Sequence, residues 1–401
     1  MNYRMQIHSE LSDIPEQEWN SLVSTANGGI LHPGLRHEYL NALEISESAV
    51  PETGWAPAHL AVYSEDNLLV GAIPMYLKSH SYGEYVFDWA WAQAYERNGL
   101  RYYPKLLTAI PFTPIQGPKL LASNTEHRRI LVQALLQFVA SCAQEDSPIG
   151  TQTSTWHGLF LSAQDSNELF DTQWDAAALL KRHVVQFHWE NKHSVEGSHY
   201  VDFDHYLSDL NQKKRKNIRA ERRKVQEANV EIHRIKGSKI EPEHIEYFYN
   251  CYLQTYQEHY SRPYLTLGFF KQLVNTMPES IMLVMAYQDG VPVATSFFIY
   301  NQHRLYGRYW GCTERIKCLH FELCYYQAIE FAIDEKIQWF EGGAQGEHKM
   351  ARGLKPCTLE SVHWVADEGF HDAIDRFLSR ERSHLNLYVD ELNEHQAFKK
   401  S

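Results

Sequence analysis

Between residues 281 and 343 the chain runs through an order of elements that few folds accept. Residues 281–287 (IMLVMAY) form an apolar β-like run, and Asp289-Gly290 is a strong two-residue hairpin signal. Residues 291–300 (VPVATSFFIY) return, Asn301-Gln302 turns again, and 303–310 (HRLYGRYW) makes a third strand. A helix follows, because Leu319, Leu323, Tyr326, Ile329 and Ile333 fall on one stripe at spacings of four and three. A short strand at 338–341 then runs into Gly342-Gly343. Three antiparallel strands, a helix and a further strand predict an α/β (α+β) domain with a mixed, mostly antiparallel sheet flanked by helices.

The first half carries a fainter copy. Residues 58–63 and 68–77 read as a hairpin around a polar turn at 64–67. Ile130, Leu131, Ala134, Leu135, Phe138, Val139 and Cys142 outline an amphipathic helix, and 156–161 and 184–189 read as strands. At 401 residues two domains are expected. The polar, glycine-containing stretch 191–198 (NKHSVEGS) places the boundary between 1–195 and 196–401. The second domain then includes a basic helix at 211–228 and a C-terminal helical tail.

No apolar run is long enough for a signal sequence or a bilayer span. The six cysteines lack CxxC spacing and read as reduced thiols, so a cytoplasmic location is expected. A net charge of −12 argues against general coating of nucleic acid. Against that background, 213–224 (KKRKNIRAERRK) holds eight basic residues and one acid. On a helix, Arg215 or Lys216, Arg219, and Arg222 or Arg223 share a face. Such a face suits the phosphates of a nucleic acid or coenzyme, or an acidic carrier protein; a merely solvated helix would have the same pattern.

Two polar clusters flank the apolar helix. In the first, Tyr306, Arg308 and Trp310 alternate onto one face of their strand, and His320, Glu322 and Tyr325 follow in HFELCYYQ. Glu322 or His320 would act as a base, with Arg308 clamping a carboxylate or phosphate and Trp310 and Tyr325 touching substrate. A structural reading makes Glu322 a helix-start carboxylate, with His320 and Arg308 packed. The second cluster, GGAQGEHKMARG (342–353), sets Gln345, Glu347, His348, Lys349 and Arg352 among three glycines that let a ligand approach the backbone. Glu347 and His348 are candidates for proton handling, Gln345 for substrate contact, and Lys349 and Arg352 for neutralising a phosphate or an oxyanion. A zinc site would use His320, Cys324 and His348, but Cys312, Cys318 and Cys324 stand six apart, which is not a zinc spacing, so no metal is expected. Tyr82, Tyr85, Trp89, Trp91 and Tyr95 would line a sugar or peptide groove or pack a core.

Several blocks carry a family resemblance: 80–107 (HSYGEYVFDWAWAQAYERNGLRYYPKLL), PFTPIQGP, QFHWEN, HYSRPYL, LYGRYWG, HFELCYYQ and GGAQGEHKMARG. They resemble the bacterial FemAB-like proteins, grouped with predicted N-acyltransferases and with peptidoglycan biosynthesis or recognition. The resemblance spans nearly the whole chain and implies two tandem GNAT-like (acyl-CoA N-acyltransferase-like) domains. It implies transfer of an acyl or aminoacyl group from acyl-CoA, an acyl carrier or aminoacyl-tRNA to an amine, with no tightly bound cofactor. The alternative is a non-catalytic protein that recognises a cell-wall precursor or carrier. GNAT enzymes hold pyrophosphate with a Q/R-x-x-G-x-G/A loop, whereas 311–322 (GCTERIKCLHFE) has no glycine after Gly311. Fem-type enzymes also depart from that loop and use aminoacyl-tRNA, which by analogy makes the basic helix a tRNA contact.

Overall fold

The computed structural model describes residues 3–171, 178–343, 346–394 and 397–398. The chain forms two compact units, one of Met1–Val184 with Thr358–Leu387, the other of Val185–Cys357 with Tyr388–Ser401. The division differs from the expected cut near 195, because residues 358–387 group with the first unit. It falls inside two long strands, Leu179–Glu190 and Lys355–Val365, where no polar linker marks it. The expected C-terminal tail is the helix Glu368–Glu394, most of which belongs to the first unit.

In the first unit the hairpin expected at 58–77 is divided at Pro74. His59–Tyr63 pairs antiparallel with Leu69–Ile73 in one sheet, whereas Met75–Lys78 pairs with Trp55–Pro57 and Lys105–Thr108 in another. Proline fixes φ and donates no ladder hydrogen bond, so the chain leaves one sheet there for the next. Thr125–Cys142 buries its predicted stripe, including Leu131, Leu135, Phe138, Val139 and Cys142, against the first sheet.

The second unit holds the predicted meander. Ile281–Gln288, Val291–Tyr300 and Arg304–Cys312 pair antiparallel in that order, and Asp289 and Gly290 both take the positive φ of a tight hairpin turn (53° and 77°). Val230–Lys236 adds to the outer edge. Trp339–Glu341 lies parallel to Arg304–Cys312, but only Arg304, Leu305 and Tyr306 find partners there. Beyond that short register no partner among the described residues pairs with 307–312 on that side, and the sheet opens. The crossover helix 319–334 covers the meander with Leu319, Leu323, Tyr326, Ile329 and Ile333, all buried. Its run is interrupted by a π-turn, Glu322–Tyr326.

Candidate functional site

Where the sheet opens, a cavity of about 500 Å3 penetrates the second unit, with Arg308, Trp310, His320, Tyr325, His348 and Lys349 on its wall. Both sequence clusters therefore meet in one space, although not all their members do. Three local features bring this about. A β-bulge interrupts the pairing of Phe297 and Phe298 with Tyr309 and Gly307, leaving Arg308 as the extra residue. The expected alternation is thereby broken: Tyr306 is fully buried away from the cavity, whereas Gly307, Arg308, Tyr309 and Trp310 all border it. The π-turn shifts the helix face by one residue, so that Tyr325, five positions after His320, joins it at the cavity with ring centroids 5.7 Å apart. Finally, the short helix Glu347–Arg352 folds His348 and Lys349 back over the opening, beginning at Gly346 with φ 103°. A Cβ on Gly346 would meet the His348 ring at 2.4 Å, so glycine is required by both conformation and space.

The electrostatics of the cavity are one-sided. No carboxylate stands among its described lining residues, which instead include His259, Arg308, His320, His348 and Lys349. Burial, reinforced by His348, Arg352 and Lys349, lowers His320 to about 4, so its imidazole is neutral near pH 7. Trp310 packs edge-on against that ring at 5.1 Å. Tyr325 Oη lies 3.1 Å from His348 Nε2, and burial also lowers His348. Lys349 is only 6 % exposed, and among the described residues neither a hydrogen bond nor an ion pair reaches its Nζ. Burial brings its ammonium down to about 8, with Cys324 pushing the other way.

Several expected site residues lie elsewhere. Glu322 is buried and does not border the cavity: Arg222 Nε and Nη2 donate to it at 3.1 and 2.9 Å, and Gln327 Nε2 at 2.9 Å. A carboxylate held this way is committed to structure and is not free to accept a substrate proton. Arg222 is correspondingly removed from any phosphate-binding face, since Nη1 also donates to Glu330 at 2.6 Å. Arg352 does not line the cavity either. It donates to Glu221 at 2.8 Å and to the His348 carbonyl at 2.7 Å, and stacks 3.6 Å over Phe321, fastening the 347–352 turn to the crossover helix. Gln345 and the side chain of Glu347 lie outside the described residues.

The basic helix is present as Gln212–Glu227. Arg219 pairs with Asp204 and Arg223 approaches Glu227, both in exposed pairs. Arg215 and Lys216 have no carboxylate partner among the described residues. In the first unit, Trp91 and Tyr95 are core residues at 4 % and 3 % exposure, whereas Tyr82 is exposed, so the five aromatics do not form one groove.

Sequence reasoning missed His259, Ser296, Tyr309 and Phe340 on the cavity wall. The aromatic, histidine-bearing loop after the helix Pro242–Glu258 was the available signal for His259. Gly311 serves packing: a Cβ there would meet the Cys251 carbonyl oxygen at 2.5 Å. The turn into the crossover helix ends at Cys318, a non-glycine residue with φ 69°. Among the described residues, His193, Glu196 and His205 bring possible metal-ligand atoms within 4.8 Å of one another. Both rings accept backbone N–H groups at Nδ1, from Glu196 and from Val201. That leaves the proton on Nε2, where a carboxylate faces each ring, so these nitrogens are disposed as donors rather than metal ligands.

The sheet order and the opened parallel pair define two tandem GNAT-like domains, the fold of N-acyltransferases. The chain belongs to the FemAB-like family, described as peptidoglycan biosynthesis/recognition, whose model matches residues 10–400. Among solved structures, FemX superposes with a TM-score of 0.54 at 10 % identity, covering 94 % of this chain and all of the other. The C-terminal domain of a putative lysylphosphatidylglycerol synthetase from Agrobacterium fabrum gives 0.51 at 9 %, covering 91 % and 95 %. L-PGS from Bacillus licheniformis gives 0.52 at 7 %, covering 91 % and 97 %. At these identities the likeness is one of fold. A comparison with curated proteins gives no match. No described helix is long and apolar enough to cross a membrane.

Proposed function

We propose that the protein is an N-acyltransferase or aminoacyltransferase whose chemistry takes place in the cavity of the second unit. The observation that carries this reading is Lys349, a buried ammonium facing an open cavity with no anion beside it among the described residues. A charge buried that way is costly unless something arrives to neutralise it. In acyl transfer the arriving charge is the oxyanion of the tetrahedral intermediate. The acceptor amine attacks the acyl carbonyl, the new C–N bond forms, and the carbonyl electron pair moves to oxygen beside Lys349. His320, neutral near pH 7, takes the proton from the attacking nitrogen as that nitrogen becomes ammonium-like, then returns it to the leaving group as the C–X bond breaks. Arg308 lies where it would hold a carboxylate or phosphate of the substrate.

Family membership supports an acceptor related to cell-wall precursors. For the donor, the segment 311–322 offers no glycine-lined phosphate loop, whereas Arg215 and Lys216 remain available to a polyanion, so aminoacyl-tRNA is favoured over acyl-CoA. The test is to offer the protein aminoacyl-tRNA or acyl-CoA with amine-bearing precursors and to look for a new amide by mass spectrometry. His320→Gln and Lys349→Met should each slow amide formation about 10²–10³-fold while the donor still binds. Retention of a precursor with no amide from any donor would sink the enzymatic reading and leave a recognition protein.

A further inference from the structure

Within the basic run 213–224 one residue is out of character: Glu221 is its single acid. An acid among so many bases would ordinarily pair along its own helix, three or four positions away. Glu221 reaches across to other elements instead. Its inward direction follows from helical spacing, since Ile218, Glu221, Arg222 and Val225 fall on one face, and Ile218 and Val225 are buried in the core of the second unit. The helix packs against the π-turn and against the turn at 347–352, the two elements that bring Tyr325, His348 and Lys349 to the cavity wall.

Glu221 touches both. Its Oε2 accepts from the Tyr326 hydroxyl, at the end of the π-turn, and from Arg352 Nη2 at 2.8 Å. Arg352 is 4 % exposed, and among the described residues Glu221 is its only carboxylate partner. Arg352 Nη1 in turn donates to the His348 carbonyl at 2.7 Å, so the carboxylate holds, through one intermediary, the backbone that carries His348 and Lys349. Tyr206 Oη donates to the Arg352 carbonyl at 2.8 Å, which fixes the end of the turn but not the direction of the guanidinium. Without Glu221 that buried cation loses its counter-charge, and turning out to water is the way to relieve it. The His348 carbonyl is then released. Because Lys349 Nζ has no partner of its own among the described residues, its place at the wall depends on the backbone that carries it.

We propose that Glu221 is a positioning residue for the cavity: acting through Arg352, it holds His348 and Lys349 on the wall without touching substrate itself. The kinetic half of this inference rests on the acyl-transfer reading; the geometric half does not. The task calls for a carboxylate, which satisfies a hydroxyl and a guanidinium at once and balances the buried cation. An amide accepts the same hydrogen bonds but leaves the charge uncompensated.

The test titrates Lys349 in the whole chain by the rate at which acetic anhydride labels it, read by peptide mass spectrometry across pH. In the wild type the rate should follow an apparent pKa of about 8. Glu221→Ala should move it up by about one unit or more, toward the 10.5 of a solvated lysine, because the turn no longer keeps the ammonium from water. Arg352→Met should do the same, and the double variant should add nothing, since the two residues act as one tie. Glu221→Gln should give a smaller shift in the same direction. Lys105, fully buried in the first unit, should stay unlabelled throughout, which separates a moved turn from a loosened fold. In amide formation, Glu221→Ala should lower kcat about 10²-fold and leave KM nearly unchanged. The proposal is overturned if neither Glu221 variant shifts the Lys349 titration, or if the shifts of Glu221→Ala and Arg352→Met add. Labelling of Lys105 in Glu221→Ala would overturn it too, because Glu221 would then hold the whole fold rather than this turn. A shifted titration in a protein that forms no amide would sink the transfer reading and leave the positioning role standing.

Discussion

Lys349 is held in a state that costs the fold energy, and the size of that cost follows from its environment. Its pKa falls from 10.5 to about 8 on folding because the ammonium is desolvated. In the unfolded chain the group stays charged up to 10.5, so between 8 and 10.5 the unfolded state binds more protons and stability rises with pH. The penalty is fully present below pH 8 and is relieved as pH rises toward 10.5. That drop corresponds to about 3 kcal/mol at pH 7 and about 1.5 kcal/mol at pH 9.5. Lys349→Met removes the charge while keeping most of the side-chain volume. We expect Tm at pH 7 to rise by roughly 5 °C or more, at two to four degrees per kcal/mol for a unit of this size. At pH 9.5 the gain should shrink to about half. If the ammonium meets the oxyanion, the same variant loses about 10²–10³-fold in kcat. Thermal unfolding at both pH values, beside turnover measured by amide formation, gives both readouts. A variant less stable than the wild type at pH 7 would refute the reasoning, because Lys349 would then have an anionic partner within the protein.

Other expectations follow from the same geometry. The pH profile of kcat/KM should be bell-shaped, rising as His320 deprotonates near about 4 and falling as Lys349 loses its proton near about 8; His320→Gln should remove the acid limb from any residual activity. Arg222→Ala strands the buried Glu322 carboxylate and should cost about 3–5 kcal/mol in urea denaturation, whereas replacing both by apolar residues should recover much of it. Gly311→Ala drives a methyl group into the Cys251 backbone and should cost about 1–3 kcal/mol, read as a lower urea midpoint with an unchanged slope.

Periodicity made the meander, its hairpin turn and the buried stripe of the crossover helix legible, because each is imposed on neighbours in sequence by backbone geometry. The same locality explains why 342–353 and 303–325 stood out: glycines, imidazoles and cations were concentrated there. Helix chemistry at 212–227 was legible as well, but its allegiance was not. Arg222 sits a hundred positions from Glu322, and only the packing of two helices reveals that the pair turns inward. Charge alone cannot distinguish a guanidinium offered to solvent from one that neutralises a buried carboxylate.

The sequence by itself determined the order of strands and helices, the tandem pattern and the two chemically dense segments, since these depend on which residues are adjacent along the chain. Only the tertiary structure decided which side chains enter the cavity. A bulge at Arg308 and a π-turn at 322–326 each shift a face by one residue, which sends a side chain to the opposite side of a strand or around a helix, and a turn entered through Gly346 brings His348 and Lys349 to the same wall. His320, Lys349 and Arg308 thus border one space, while Glu322 and Arg352, equally plausible in the linear chain, became the ties that hold its walls in place.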